Sequence, residues 1–106
     1  MKLLSAIGIS VFVLALTASG ASAQISDATR QTCNQMGDPG SIAACTAIID
    51  ADQHADAATR SNDYVDRALQ YQYLRESGEA LVDYRTALQL DPDNDTAQHG
   101  IDDLTH

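Results

Sequence analysis

Apolar residues downstream of residue 37 recur at steps of three and four along the chain, which is the spacing of one face of an α-helix. No run alternates apolar and polar residues with the β-branched side chains that a strand favours. Turn signals such as Asp91-Pro92 separate the helical stretches, because proline cannot continue the helix before it. The pattern therefore predicts an all-α fold, and its two clearest apolar stripes are Ile42, Cys45, Ile48 and Ile49, and Leu81, Tyr84, Ala87 and Leu88.

Four helices are expected, and most have a sequence signal at their start. The first begins at Asp38-Pro39, with Asp as the N-cap and Pro in the first turn, and ends near Asp52. The second covers residues 55–75. Ser77 is expected to cap the third, over residues 78–90, and Asp95-Thr96-Ala97-Gln98 reads as a capping box for the last. Residues 24–37 show no clear period and are predicted to form an irregular N-terminal arm.

The first 23 residues have the layout of a secretory signal peptide. Lys2 gives a positive start, residues 3–17 are almost entirely apolar, and Ala21-Ser22-Ala23 is a small-x-small cleavage site. The apolar run is shorter than the ~20 residues that a membrane span needs, so no stable membrane insertion is expected after cleavage. Cleavage after Ala23 leaves one small domain that is expected in the periplasm or outside the cell.

Charge excludes several kinds of partner. Lys2 lies in the predicted leader, so the mature chain carries five arginines against fifteen acidic residues, a net charge of −10. A nucleic-acid-binding protein needs a basic surface, and anionic lipid attracts basic segments, so neither partner is expected. An acidic protein attracts basic proteins and speeds their encounter at low salt, which favours a basic protein or peptide as the partner.

Cys33 and Cys45 are the only cysteines, and both lie in the part of the chain predicted to be exported. An even number of cysteines in a small exported chain favours a structural disulfide. Such a bond closes a short loop and stabilises a fold by roughly 3 kcal/mol. Two free thiols and a chemically reactive pair are the alternatives, although the spacing lacks the C-x-x-C pattern of redox and haem-attachment motifs.

Residues 61–94 form a 34-residue segment in which bulky and small residues recur at helical spacing: Tyr64, Ala68, Tyr71, Ala80, Tyr84, Ala87 and Pro92. Close crossing of two helices needs small residues at the contact and bulky ones beside it. In its length and at these positions the segment resembles the tetratricopeptide repeat family. It departs from the family pattern at Arg67, where a leucine is usual, and at Arg75 and Glu76, where the turn usually has Gly-Asp.

The resemblance implies antiparallel helix pairs, with one full repeat and flanking helices in a helical domain over residues 38–106. Residues 38–60 would be a degenerate half-repeat, residues 61–94 the full repeat and residues 95–106 a capping helix. The cysteine pair ahead of the repeat resembles small exported tetratricopeptide proteins of Gram-negative bacteria. Such arrays hold a peptide or protein in a groove lined by the first helix of each repeat, which implies a non-catalytic interaction module. The partner-binding residues expected here are Asn62, Asp63, Asp66 and Gln70.

Two alternative functions remain open at this point. Asp91, Asp93 and Asp95, followed by Asp102, echo a calcium loop, although Thr96 stands where that loop needs glycine. Self-association through the unpaired faces of a single repeat is the other alternative, since repeat arrays usually need about three units. No catalytic motif, cofactor motif or metal-ligand spacing is recognised, and the three histidines are far apart: His54, His99 and His106.

Overall fold

The computed structural model describes residues 25–106, and this part of the chain contains five α-helices and no strand. The all-α prediction is therefore confirmed. The predicted signal peptide, residues 1–23, lies outside the described residues. In chain order the helices are α1 (Asp27–Cys33), α2 (Ser41–Ala51), α3 (Ala57–Tyr73), α4 (Ser77–Leu90) and α5 (Asp95–Thr105).

Helix α1 occupies the segment that the sequence predicted to be irregular, so that prediction is wrong. Ser26 caps the helix, because its hydroxyl accepts a hydrogen bond from the backbone N–H of Thr29 at 3.1 Å. The helix is only seven residues long, too short to display a periodic apolar stripe. Its folding depends instead on Cys33, which is buried against α2.

Helices α1 and α2 form a hairpin that is closed by the two cysteines. The sulfur atoms of Cys33 and Cys45 lie at bonding distance, with their Cα atoms 4.8 Å apart, and both residues are 1% exposed. Ile48 is buried beside them, and Ile25 and Ala44 pack around this cluster. The hairpin therefore has a small apolar core of its own.

The larger core lies between α3, α4 and α5. Ala68, Ala80, Ala87 and Ala97 have no exposed surface, and Tyr84 is 1% exposed among them. Four alanines allow the helix backbones to approach closely, and the tyrosine ring fills the space that the short side chains leave. The partly buried residues at the margin of this core are Tyr64, Leu69, Tyr71, Leu88, Ile101 and Leu104.

Two of the predicted helix caps are displaced by one residue. The N-cap of α5 is Asn94 and not Asp95, because the Asn94 side-chain oxygen accepts a hydrogen bond from the backbone N–H of Ala97 at 3.1 Å. Ser77 lies inside the first turn of α4, after Glu76, and no side chain caps that helix. Asp38 does accept from the N–H of Gly40 at 2.7 Å, but the helical ladder of α2 starts later, at Ser41.

Candidate functional site

An open groove with a volume of about 400 Å³ lies between α3, α4 and α5. Its floor is the ring of Tyr84, and Met36 from the loop between α1 and α2 also lines it. Apolar side chains dominate the interior, and polar groups follow the rim. The residues that line it are Met36, Leu69, Gln72, Tyr73, Tyr84, Thr96, His99, Gly100 and Asp103.

The floor of the groove is fixed by close packing between α4 and α5. A side-chain carbon added at Gly100 would come within 2.3 Å of the Tyr84 ring, so only glycine lets α5 lie directly on that ring. The Tyr84 hydroxyl donates a hydrogen bond to Oε1 of Gln72 at 2.7 Å, and burial raises the pKa of the hydroxyl. The floor is therefore uncharged and held in one orientation.

The rim of the groove carries exposed apolar surface beside an acidic group. Met36 is 50% exposed and Tyr73 is 58% exposed. Gly37, with φ at 82°, brings the α1–α2 loop against Tyr73: an added Cβ would be 3.1 Å from the ring. Asp103 is the acidic lining residue, and none of the arginines in the described part of the chain lines the groove. An apolar side chain next to a cation would match this surface.

The predicted partner-binding residues do not share one exposed face. Asn62 is exposed and Asp66 is half-buried, whereas Asp63 is 8% exposed and Gln70 is 2% exposed. The expectation that Asp63 and Gln70 point outward is therefore wrong. The reason is tertiary: these residues lie on the side of α3 opposite to the stripe that meets α4 and α5, and the α1–α2 hairpin packs over that side.

Asp63 occupies an unusual electrostatic position in this interface. Burial, together with the adjacent carboxyls of Asp52 and Asp66, raises the pKa of its carboxyl to about 7, although Arg30 opposes the shift. One oxygen of Asp63 has no hydrogen-bond partner, and the same is true of Oε1 of Gln70. Burial also raises the pKa of Asp66.

Arg67, one of the departures from the repeat pattern, joins three helices. Its Nε and Nη2 atoms donate to the two oxygens of Asp83 on α4 at 2.8 and 2.9 Å, and Nη1 donates to Thr46 on α2 at 3.0 Å. The guanidinium also lies 5.6 Å from the ring centre of Tyr64 and 5.9 Å from that of Tyr71. Since Asp83 is 2% exposed, Arg67 is the partner that neutralises a buried carboxylate.

The acidic turn between α4 and α5 acts as a cap. Asp91 Oδ1 accepts a hydrogen bond from the N–H of Asp93 at 3.1 Å, and Asp95 is the first residue of α5. Among residues 25–106, no three acidic, histidine or cysteine side chains are arranged to hold a metal ion. The calcium-loop interpretation of Asp91, Asp93 and Asp95 thus gains no support from their placement.

Asn94 links this turn to the rest of the molecule. Its Nδ2 atom donates to Oγ of Ser61 at 2.8 Å and to Oδ1 of Asn62 at 3.1 Å. The Ser61 hydroxyl donates in turn to the backbone oxygen of Ala87 at 2.8 Å. This buried network ties the start of α5 to α3 and α4, so it sets the position of one side of the groove.

Comparison with protein-family models, with curated proteins and with solved structures finds no match to this chain. Within the described residues, no helix is long and apolar enough to cross a membrane. The groove residues were missed by sequence reasoning because they come from four separate segments. Gly100 was the one available signal, since a glycine in the middle of an amphipathic helix indicates close packing.

Proposed function

We propose that this protein is a non-catalytic, exported protein-interaction module that holds a peptide segment of a partner in the groove between α3 and α5. The observation that carries the proposal is the groove itself, which has an apolar floor, exposed Met36 and Tyr73 at its edge and an acidic residue on its rim. Concave apolar surfaces with a few polar groups are the usual form of a binding site.

A tetratricopeptide-type organisation is part of the proposal. Residues 61–94 contain α3 from its fifth residue onward, all of α4 and the turn after it, and the small residues of the pattern are buried where the two helices meet. In that arrangement α3 and α5 would be the first helices of successive units, which are the groove-lining helices of the family. Residues 38–60 and 95–106 would then be the flanking half-repeat and cap.

The favoured partner is a basic peptide and not a second copy of the chain. All fifteen acidic residues and all five mature arginines lie in the described part of the chain, which gives it a net charge of −10. Two such molecules repel each other, whereas a cationic segment is attracted and its encounter is accelerated at low salt. We propose that an apolar side chain enters the groove while a neighbouring lysine or arginine meets Asp103.

Export to the periplasm or beyond is proposed from the leader-like first 23 residues, and the cysteine pair at bonding distance in a small domain supports it. Reducing compartments such as the cytoplasm keep thiols free, whereas a disulfide that closes a hairpin persists in an oxidising compartment.

The test is direct binding of labelled short peptides that place one leucine or phenylalanine beside two arginines. Fluorescence anisotropy should detect binding that weakens with salt, and peptides with glutamate in place of arginine should not bind. Met36→Ala and Tyr73→Ala should each weaken binding roughly tenfold, because each removes exposed apolar surface that the bound peptide would cover. Val82→Ala is the matched control, because Val82 is 62% exposed and lies outside the groove.

Two outcomes contradict the proposal. Equal binding of the acidic and basic peptides would reject the basic partner. Concentration-dependent self-association in sedimentation, abolished by Met36→Ala and Tyr73→Ala, would show that the groove belongs to a dimer contact.

A further inference from the structure

The described part of the molecule has two apolar clusters with a polar interface between them. One cluster is internal to the α1–α2 hairpin and is closed by Cys33 and Cys45. The other lies between α3, α4 and α5 around Tyr84. Helices α1 and α2 meet α3 on a surface that includes Asp63 and Gln70. The hairpin therefore meets α3 through contacts that include buried polar side chains, which neither apolar cluster contains.

The docked interface contains polar atoms that the fold does not satisfy. Oδ2 of Asp63 and Oε1 of Gln70 are buried without a hydrogen-bond partner. An unpaired buried polar atom is unfavourable, and an unpaired buried charge is more so. Both atoms would be solvated if the hairpin moved away from α3. The docked state thus carries a penalty that depends on whether the Asp63 carboxyl is charged.

The groups around Asp63 make its charge unfavourable. Asp52, at the C-terminal end of α2, and Asp66, one turn away on α3, are the carboxyls that disfavour a charge on Asp63. Arg30 on α1 is the cation that opposes them. Arg60 lines a small cavity beside Asp63 together with Ile49, Gln53 and Tyr64.

We propose that the α1–α2 hairpin is a pH-released cover: it docks on α3 while the buried, unpaired carboxyl of Asp63 is protonated, and it loosens when that carboxyl is ionised. The disulfide is expected to keep the hairpin itself folded in the loosened state, because Cys33, Cys45 and Ile48 belong to the hairpin alone. In the loosened state the α1–α2 hairpin separates from the side of α3 that contains Asp63, Asp66 and Gln70.

The direction of the effect follows from proton linkage. The carboxyl of Asp63 has an ordinary pKa of 3.8 and a pKa of about 7 in the docked state. Docking therefore takes up a proton at pH values between these two pKa values. The free energy that favours the docked state decreases as the pH rises from about 4 to about 7. The hairpin is most firmly docked in mild acid and is loosest above neutrality.

Hairpin release has a consequence for the groove, and this step rests on the proposed function. Met36 lines the groove and comes from the loop that joins α1 to α2. Gly37 in the same loop abuts Tyr73. Loosening the hairpin would withdraw Met36 from the groove, so the affinity for the peptide is expected to fall when the pH rises.

The experiment is amide hydrogen exchange measured by mass spectrometry at about pH 5 and about pH 9, on either side of the transition, with rates corrected for intrinsic exchange. Protection in α1 and α2 should fall roughly tenfold or more at the higher pH, while α4 and α5 keep theirs. Asp63→Asn, which has the same shape and no charge, should keep the hairpin protected at both pH values. Asp50→Asn is the matched control, because Asp50 is exposed on α2.

Unchanged hairpin protection between the two pH values would overturn the proposal, and so would an equal loss of protection in all five helices. A loss that persists in Asp63→Asn would also overturn it, since the titrating group would then be another. Peptide binding is measured in parallel on the same samples. Hairpin release in a protein that binds no peptide rejects the proposed function alone, whereas peptide binding without pH-dependent release rejects the cover alone.

Discussion

At the scale of single residues, Gly100 and Arg75 have the clearest effects on how the helices pack and end. Gly100 has no side chain, and this permits the contact between α5 and the Tyr84 ring. Arg75 has φ of 66°, the left-handed conformation that glycine adopts most easily. Its position ends α3 in a Schellman motif, in which the N–H of Glu76 donates to Tyr71 at 2.9 Å and that of Arg75 to Gln72 at 3.0 Å. The turn that usually has glycine in the resembling family thus closes here with arginine.

Gly100→Ala should destabilise the fold by about 1–3 kcal/mol, because the new methyl group overlaps the buried Tyr84 ring. Chemical denaturation monitored by circular dichroism measures this change. Gly78→Ala is the control: nothing lies within 4 Å of its added Cβ, so a small gain in stability is expected from helix propensity. Equal effects of the two substitutions would show that α5 does not pack on Tyr84 as described.

Arg75→Gly should stabilise the protein by about 0.5–1 kcal/mol, since glycine removes the cost of a side chain in the left-handed region. Arg75→Ala is the companion variant, because it removes the charge and keeps the unfavourable conformation. A denaturation midpoint that rises for glycine and not for alanine supports the Schellman geometry, and parallel shifts in both variants argue for a charge effect instead.

At the scale of helices, the stability of the α1–α2 hairpin depends on the Cys33–Cys45 cross-link, whereas α3, α4 and α5 are held together by packing. Its apolar cluster is small, and the cysteines are its most buried members. The α3–α5 core contains no cysteine and is held by alanines, Tyr84 and the Asn94 network. Arg67 bridges the two units through Thr46 and Asp83.

Reduction of the cysteine pair should lower the free energy of unfolding by about 3 kcal/mol, the loop-closure value for a short loop. Thermal melting with and without reductant measures the shift, and hydrogen exchange should show that α1 and α2 lose protection first. The variant with both Cys33→Ser and Cys45→Ser should have the melting temperature of the reduced native chain, and adding reductant should not change it. An unchanged melting temperature on reduction of the native chain would reject a stabilising role for the bond.

At the scale of the whole molecule, stability depends on pH through groups with opposite shifts. A hydrogen bond from the backbone N–H of Thr59 lowers the pKa of Asp56, so this N-cap contributes above its ordinary pKa and is lost as the pH falls. The raised pKa of Asp63 acts the other way: the folded state binds the proton more tightly, and this contribution is lost as the pH rises toward about 7. The fold is therefore expected to be most stable in mild acid.

The melting temperature should fall by about 4–8 °C for each kcal/mol lost, in a domain of this size, as the pH rises from mild acid to above neutrality. Asp63→Asn should flatten this part of the profile and raise stability above pH 7, because the amide cannot ionise. The measurement is a series of thermal melts across the pH range, with Asp50→Asn as control. A profile of Asp63→Asn that parallels the native one would assign the pH dependence to other groups.

Some of this architecture could be predicted from the sequence because it depends on local chemistry. Helical spacing, the Asp91-Pro92 turn and the three small residues at the helix crossing, Ala68, Ala80 and Ala87, are properties of neighbouring positions, and the all-α fold follows from the helical spacing. With only two cysteines in the chain, a single intramolecular pairing was possible. Short-range signals failed at α1, which is too short to show a period, and at the caps of α4 and α5, where neighbouring residues compete for one position.

The groove and the hairpin interface were decided by tertiary structure alone. The lining residues of the groove come from α3, α4, α5 and a distant loop, and no sequence spacing relates Met36 to Asp103. Asp63 and Gln70 lie where a partner-binding face was expected, and the packing of the α1–α2 hairpin buries them and raises the pKa of Asp63. The physical reason is that periodicity fixes which residues share a helix face, whereas exposure and charge state depend on what that face contacts.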